Sequence, residues 1–143
     1  MDMKIVVGVD GSDQAGRAVA WCARHAAALD AEVIVVHAID LPMLVTPMTS
    51  LVPVAQFTEV DRDQIREMVT TEWRAPLEKA GVPFRVVLTE SNAAVTIMAT
   101  ADKEDADLVV TGRRGRGGFA ELVLGSTTYA LTHHLQRPFL IIP

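Results

Sequence analysis

The chain is predicted to fold as an α/β domain: an open, doubly wound parallel sheet of five strands with helices on both faces. Three observations lead there. Five short, β-branched apolar runs read as strands buried on both faces, the pattern of a parallel sheet. Helical stretches alternate with them, as right-handed crossovers require. A glycine-rich segment directly follows the fourth run, where a doubly wound sheet keeps its binding crevice.

Lys4 to Val9 is the first run, and it stops at Asp10-Gly11-Ser12. Ser12 or Asp13 caps a helix whose apolar positions Ala15, Ala18, Val19, Cys22, Ala26 and Leu29 recur at three and four residues, one stripe facing a core. Glu32 to Ile39 is the second strand. Asp40 to Phe57 contains Pro42, Pro47 and Pro53 and no sustained period, so it reads as a long loop. Met43 and Met48 within it suit a lid or partner surface as well as a plainly packed loop. A helix spans Thr58 to Ala80, with Pro76 kinking or interrupting its last turn and Gly81 closing it. Phe84 to Thr89 is the third strand. Asn92 caps a helix to about Lys103, and Asp107 to Thr111 is the fourth strand. Past the glycine-rich segment, Gly125-Ser126 opens a helix to about Leu135, and Pro138 leads into Phe-Leu-Ile-Ile, the fifth strand.

Size and composition narrow the function. At 143 residues the chain falls just below the ~150 expected of one domain, so residues 1–143 are read as a single unit. Half the residues are hydrophobic, enough for a sizeable core and against disorder. The balance of 13 Lys+Arg against 18 Asp+Glu disfavours a nucleic-acid-coating role. Cys22 is the lone cysteine, so neither a disulfide framework nor a cysteine zinc site is expected within one chain. The first apolar run is far shorter than a signal peptide core or a membrane span. Together these imply a soluble, cytoplasmic protein without membrane or nucleic-acid partners.

The crevice predicted by the winding lies at Asp10-Gly11-Ser12 and at Gly112 to Gly118. Gly112, Gly115, Gly117 and Gly118 let a backbone approach a ligand closely and turn successive N–H groups toward phosphate oxygens. Gly125-Ser126 then opens a helix whose unpaired N–H groups form an anion site, with the Ser126 and Thr127 hydroxyls as added donors. Arg113, Arg114 and Arg116 favour a polyanion. A flexible loop with solvated arginines is the plain alternative, and the combined arrangement argues against it. Gly-Lys-Ser/Thr of a P-loop is absent. Gly115 to Ala120 matches G-x-G-x-x-A, but it follows a late strand and no acidic residue stands about 20 positions on to hold a ribose.

On these residues the chain resembles the universal stress protein family over almost its whole length. Gly112, two residues, Gly115, nine residues, then Gly125-Ser126 is similar to that family's ATP-binding pattern G-x2-G-x9-G-[S/T]. The ends of the first and second runs, Val9-Asp10-Gly-Ser and His37-Ala38-Ile39-Asp40, resemble the family too, as does the closing Arg137-Pro138-Phe-Leu-Ile-Ile. The resemblance implies strand order 3-2-1-4-5 and ATP, with magnesium as a companion ion, across the ends of strands one and four. Asp10 would lie near the ribose, Ala38 and Ile39 beside adenine, Gly112 and Gly115 near ribose and phosphates, and Gly125, Ser126 and Thr127 on the phosphates. Gly8, Gly11, Ser12, Thr111 and Arg114 complete the expected site. Thr111 stands where relatives often carry an aliphatic residue and Ala38 where they carry valine, which implies looser adenine contacts. The resemblance also implies a stress-response regulatory module working with a protein partner, and a homodimer paired through Phe139 to Ile142. A slow ATP-hydrolysing or nucleotidyl-transferring enzyme is the alternative, although no general base or loop lysine stands out.

Other residues have quieter readings. Asp10 suits both ribose or metal contact and capping of the first helix's turn. His37, in an apolar strand, reads as a satisfied core histidine. His133 and His134 are adjacent on a helix and point apart, which argues against a shared metal. Cys22 fills core.

Overall fold

The computed structural model describes residues 2–38, 63, 64, 67, 71–115 and 123–143. Ile39, the 40–57 loop, most of the 58–70 stretch and residues 116–122, Arg116 among them, lie outside the described residues. The elements run β1 (Met3–Gly8), α1 (Asp13–His25), β2 (Ala31–Ala38), α2 (Ala75–Lys79), β3 (Phe84–Thr89), α3 (Ala93–Glu104), β4 (Leu108–Gly112), α4 (Ser126–His134) and β5 (Phe139–Ile142). All strand pairs are parallel, in the order β3-β2-β1-β4-β5, with Val6 beside Ile34 on one side and Val109 on the other. The predicted doubly wound α/β sheet is therefore the observed one.

Alternation along the central strands divides the core. Ile5, Val7, Val33, Val35 and Val110 pack with Ala15, Ala18, Val19 and Cys22 of α1 and Leu77 of α2. Val6, Ile34, Val36 and Val109 pack with Ala94, Ile97 and Ala101 of α3 and Leu131 of α4. Alanines on α1 and α3 bring those helices close to the sheet, and a fully buried Val, Leu or Ile contributes roughly 1.5–3 kcal/mol.

Two helices differ from the sequence reading. The apolar stripe predicts α1 as far as Leu29, yet the helix ends at His25 and Leu29 is 42% exposed. The reason is local. Asp30 takes a left-handed φ of 49° and the Ala31 amide donates to Ala26 O at 2.9 Å, a closure that overrides the stripe. Gly81 (φ 65°) and Asp105 (φ 53°) close α2 and α3 the same way, with Val82 N on Leu77 O and Ala106 N on Ala101 O. The helix expected from Thr58 to Ala80 is interrupted, as Pro76 predicts, but among the described residues the break falls at 72–74, before the last turn. A continuous helix would set the Pro76 ring against the carbonyl of Glu72, its fourth predecessor; instead the chain turns over 72–74, and α2 restarts with Pro76 in its first turn.

Charge pairing gathers at the amino ends of the strands. Arg85 of β3 bridges Glu32 of β2 and Glu104 of α3, and Lys4 of β1 also reaches Glu104. The opposite ends of the strands carry Asp10 and the glycine-rich segment. Among the described residues no helix is long and apolar enough to cross a membrane.

Candidate functional site

β1 and β4 are neighbours, yet β1 leads to α1 on one face and β4 leads toward α4 on the other. A doubly wound sheet keeps its binding crevice at the carboxyl ends of such a pair, where the residues that follow β1 and β4 stand. After β1, Asp10 Oδ1 accepts from the Ser12 amide at 2.9 Å, Gly11 supplies the positive φ of 82° that this tight turn needs, and Ser12 Oγ accepts from Ala15 N at 3.2 Å. Ser12 is thus the helix cap, and Asp10 organises the turn before it.

After β4, the glycine-rich segment is pinned from both sides. Arg113 N donates to Ile142 O at 2.7 Å, and Gly125 N donates to Arg113 O at 2.9 Å. A β-carbon on Gly125 would lie 3.2 Å from Arg114 Cα and 3.3 Å from Gly115 N, so the two ends of the glycine pattern pack backbone on backbone. A β-carbon on Gly115 would overlap Asp10 Oδ2, which brings the loop after β4 against the turn after β1. Gly125 begins α4 with extended backbone and no side-chain cap, whereas Ser12 and Asn92 cap α1 and α3. The first-turn amides of α4 and its partial positive charge thus open on the same place.

Of the residues named from sequence, Asp10, Gly11, Ser12, Arg114, Gly115 and Gly125 come together here, with Ser126 exposed and Thr127 half-buried on the first turn of α4. Ala38 ends β2 opposite Thr89, half-buried one strand away. Gly8 and Thr111 face inward. A β-carbon on Gly8 would sit 2.6 Å from Ile97 Cδ1, and Thr111 is 4% exposed with its hydroxyl 3.4 Å from that of Thr128. Gly112 lies against α1, where a β-carbon would come within 2.9 Å of the Gln14 backbone.

Two residues escaped the sequence reading. Thr128 Oγ1 donates to Gly112 O at 2.8 Å, tying α4 to the end of β4. The Gln14 side-chain oxygen accepts from Arg114 N, across 100 positions of chain. The first had a faint signal in a hydroxyl two residues past Gly125-Ser126; the second had none, because no local pattern encodes a contact made by the fold.

His37 is buried, donates from Nδ1 to Val9 O at 2.7 Å and packs 5.2 Å from the Trp73 ring, as a satisfied core histidine does. Burial pushes the Cys22 thiol up to about 12. His133 bonds its own helix through Tyr129 O, and among the described residues no cluster of three His, Cys, Asp or Glu could hold a metal. A groove of about 800 Å³ runs beside Arg17, Ala20, Arg24, Pro76 and Ile142; none of the site residues named from sequence lines it.

The sequence model of the universal stress protein family matches residues 1–143. The chain belongs to the universal stress protein family. A universal stress protein of Thermus aquaticus is 30% identical over 139 residues, covering 96% of each chain, and YxiE of Bacillus subtilis is 29% identical over 146 residues, covering 97% of each. The chain spans about half the length of other curated relatives it matches, such as a universal stress protein of Mycolicibacterium smegmatis, of which it covers 47% at 27% identity. UspA from Lactobacillus plantarum shares the fold with a TM-score of 0.81 at 20% identity, over 99% of this chain and 97% of that one. Universal stress proteins have also been solved in complex with cAMP (TM-score 0.73, 24% identity, 98% and 95% covered) and, from Archaeoglobus fulgidus, with dAMP (0.71, 23%, 99% and 98%).

Proposed function

We propose that this universal stress protein binds an adenine nucleotide, ATP with magnesium, across the carboxyl ends of β1 and β4, and that binding regulates a partner protein during stress in the cytoplasm. One observation carries the reading: the glycines of G-x2-G-x9-G-S converge, with Gly115 against Asp10 and Gly125 against Arg114, beside the uncapped start of α4. Close backbone approach and a free helix N-terminus are what a polyphosphate requires. In this reading Asp10 meets the ribose, Ala38 and Ile39 border adenine, and Ser126 and Thr127 donate to phosphate. The relatives solved with cAMP and dAMP support an adenine ligand.

The test is to release and chromatograph any nucleotide carried by the purified protein, then titrate the stripped protein while following its melting temperature. Saturating ATP with magnesium should raise Tm, since a hundredfold excess over Kd adds about 2.7 kcal/mol, and GTP should do less. No shift with any adenine nucleotide at millimolar concentration would sink the proposal.

A homodimer through β5 is part of the same proposal. Phe139–Ile142 is half-buried and, among the described residues, pairs only with β4, which leaves an apolar edge. Light scattering should give a dimer mass, and Ile141→Pro should reduce it to that of a monomer, because alternation along β5 turns the Ile141 amide to the open edge while the Leu140 amide faces β4; a monomeric wild type contradicts the pairing.

A further inference from the structure

The first turn of α1 does more than follow Asp10. Gln14 stands two residues past the Ser12 cap, and its backbone carbon is the atom that a β-carbon on Gly112 would meet at 2.9 Å. Its side-chain oxygen accepts the Arg114 amide, two residues after Gly112 and one before Gly115. An amide N–H has only an oxygen to give its proton to, so this bond also fixes which way round the glutamine amide sits.

We infer that Gln14 is a positioning residue: it holds the backbone of the glycine-rich loop in place before any ligand arrives. The inference rests on the nucleotide reading for its purpose, though the bond itself does not. The chain of contacts is continuous. Asp10 shapes the turn, Ser12 caps α1, α1 carries Gln14, and Gln14 grips Arg114 one residue before Gly115 returns to Asp10. The turn that presents Asp10 and the loop that faces it are therefore locked to one another.

A consequence narrows the site. Arg113 N is occupied by Ile142 O and Arg114 N by Gln14, so these two amides brace the loop inside the protein. Among the described residues, donation from the backbone to an anion then falls to Gly115 and to the first turn of α4. Bracing of this kind raises affinity by lowering the ordering cost of binding, without adding a contact to the ligand.

Hydrogen exchange at the Arg114 amide in the nucleotide-free protein reads the brace directly. The wild type should be protected, and Gln14→Ala should speed exchange at Arg114 at least about tenfold, because a lone neutral hydrogen bond is lost. Gln14→Glu keeps an acceptor and should restore protection, while its added charge weakens ATP binding more than AMP binding. Gln14→Ala should weaken ATP binding about three- to tenfold. Gln14→Met, of similar volume, replaces the alanine variant should that one not fold. Unchanged Arg114 exchange without the glutamine oxygen, or ATP affinity unaltered once protection is lost, overturns the inference. A wild type that binds no adenine nucleotide overturns the proposed function instead, and exchange at Arg114 then decides the brace alone.

Discussion

Gly115 lies so close to Asp10 that a β-carbon on it would overlap the carboxylate oxygen Oδ2, while the other oxygen, Oδ1, accepts from the Ser12 amide. Asp10 cannot easily swing away from an added methyl, because doing so opens the turn that begins α1. Gly115→Ala should therefore weaken adenine-nucleotide binding about tenfold or more and also lower the melting temperature of the free protein, because relieving the overlap opens that turn or displaces the loop. Calorimetry on Gly115→Ala, Asp10→Ala and the double variant checks this. The cycle should be clearly non-additive, because Asp10→Ala removes the obstruction; additive losses would place the two residues in separate roles.

Gly112 and Gly8 should respond differently to alanine. At Gly112 the new methyl meets the backbone of Gln14 at 2.9 Å and of Ala15 at 3.1 Å, which shifts only if α1 shifts. At Gly8 it meets the Cδ1 end of Ile97, which can change rotamer. We expect Gly112→Ala to cost about 1–3 kcal/mol and Gly8→Ala the lower end of that range. Thermal melts of both variants decide it, and a larger drop for Gly8→Ala would refute the assignment.

Cys22 is fully buried on the inner face of α1, and burial lifts its thiol to about 12, so the reactive thiolate is scarce at neutral pH. A thiol reagent should label it only through opening of the fold, far more slowly than a cysteine in denaturant. Saturating ATP should slow labelling further by stabilising the folded state. Labelling at the free-thiol rate would mean that the inner face of α1 is not held against the sheet in solution.

The Arg85 guanidinium, by hydrogen bonding Glu104, holds its carboxyl below the ordinary glutamate range. A carboxyl lowered in the folded state stabilises above its unfolded pKa, about 4.3, and loses that contribution as pH falls through the folded value. Glu104→Gln should lower Tm at neutral pH, and the gap to wild type should close under acid. A gap that stays constant from pH 7 to pH 2 would exclude the linkage.

Any hydrolysis of ATP at the proposed site should be well under the ~1–100 s⁻¹ of kinases, because among the described residues there no group stands out to orient an attacking water. A single-turnover assay on protein freed of contaminating ATPases measures this. A rate above about 1 s⁻¹ that disappears in Gly125→Val would make the protein an enzyme and Asp10 the first residue to examine.

The strands were legible because burial on both faces demands continuous β-branched runs, and Val33 to Val36 or Leu108 to Val110 admit little else. Helix starts were legible at Ser12 and Asn92, whose side chains accept the first-turn amides that local sequence places within reach. Helix ends were less so. Asp30 closes α1 in a left-handed conformation that glycine advertises and aspartate does not, which is why the stripe through Leu29 misled.

The glycine pattern, its spacing and the family it belongs to are properties of the sequence alone, because a glycine every few residues beside a strand end is a local demand on the backbone. Which face each glycine serves was decided by tertiary structure. Gly8 makes room for Ile97, Gly112 for α1, Gly115 for Asp10 and Gly125 for the backbone of Arg114. The same holds for Gln14 and Thr128, whose partners lie 100 and 16 positions away. A missing β-carbon says that something comes close, and only the packing of distant segments determines what that is.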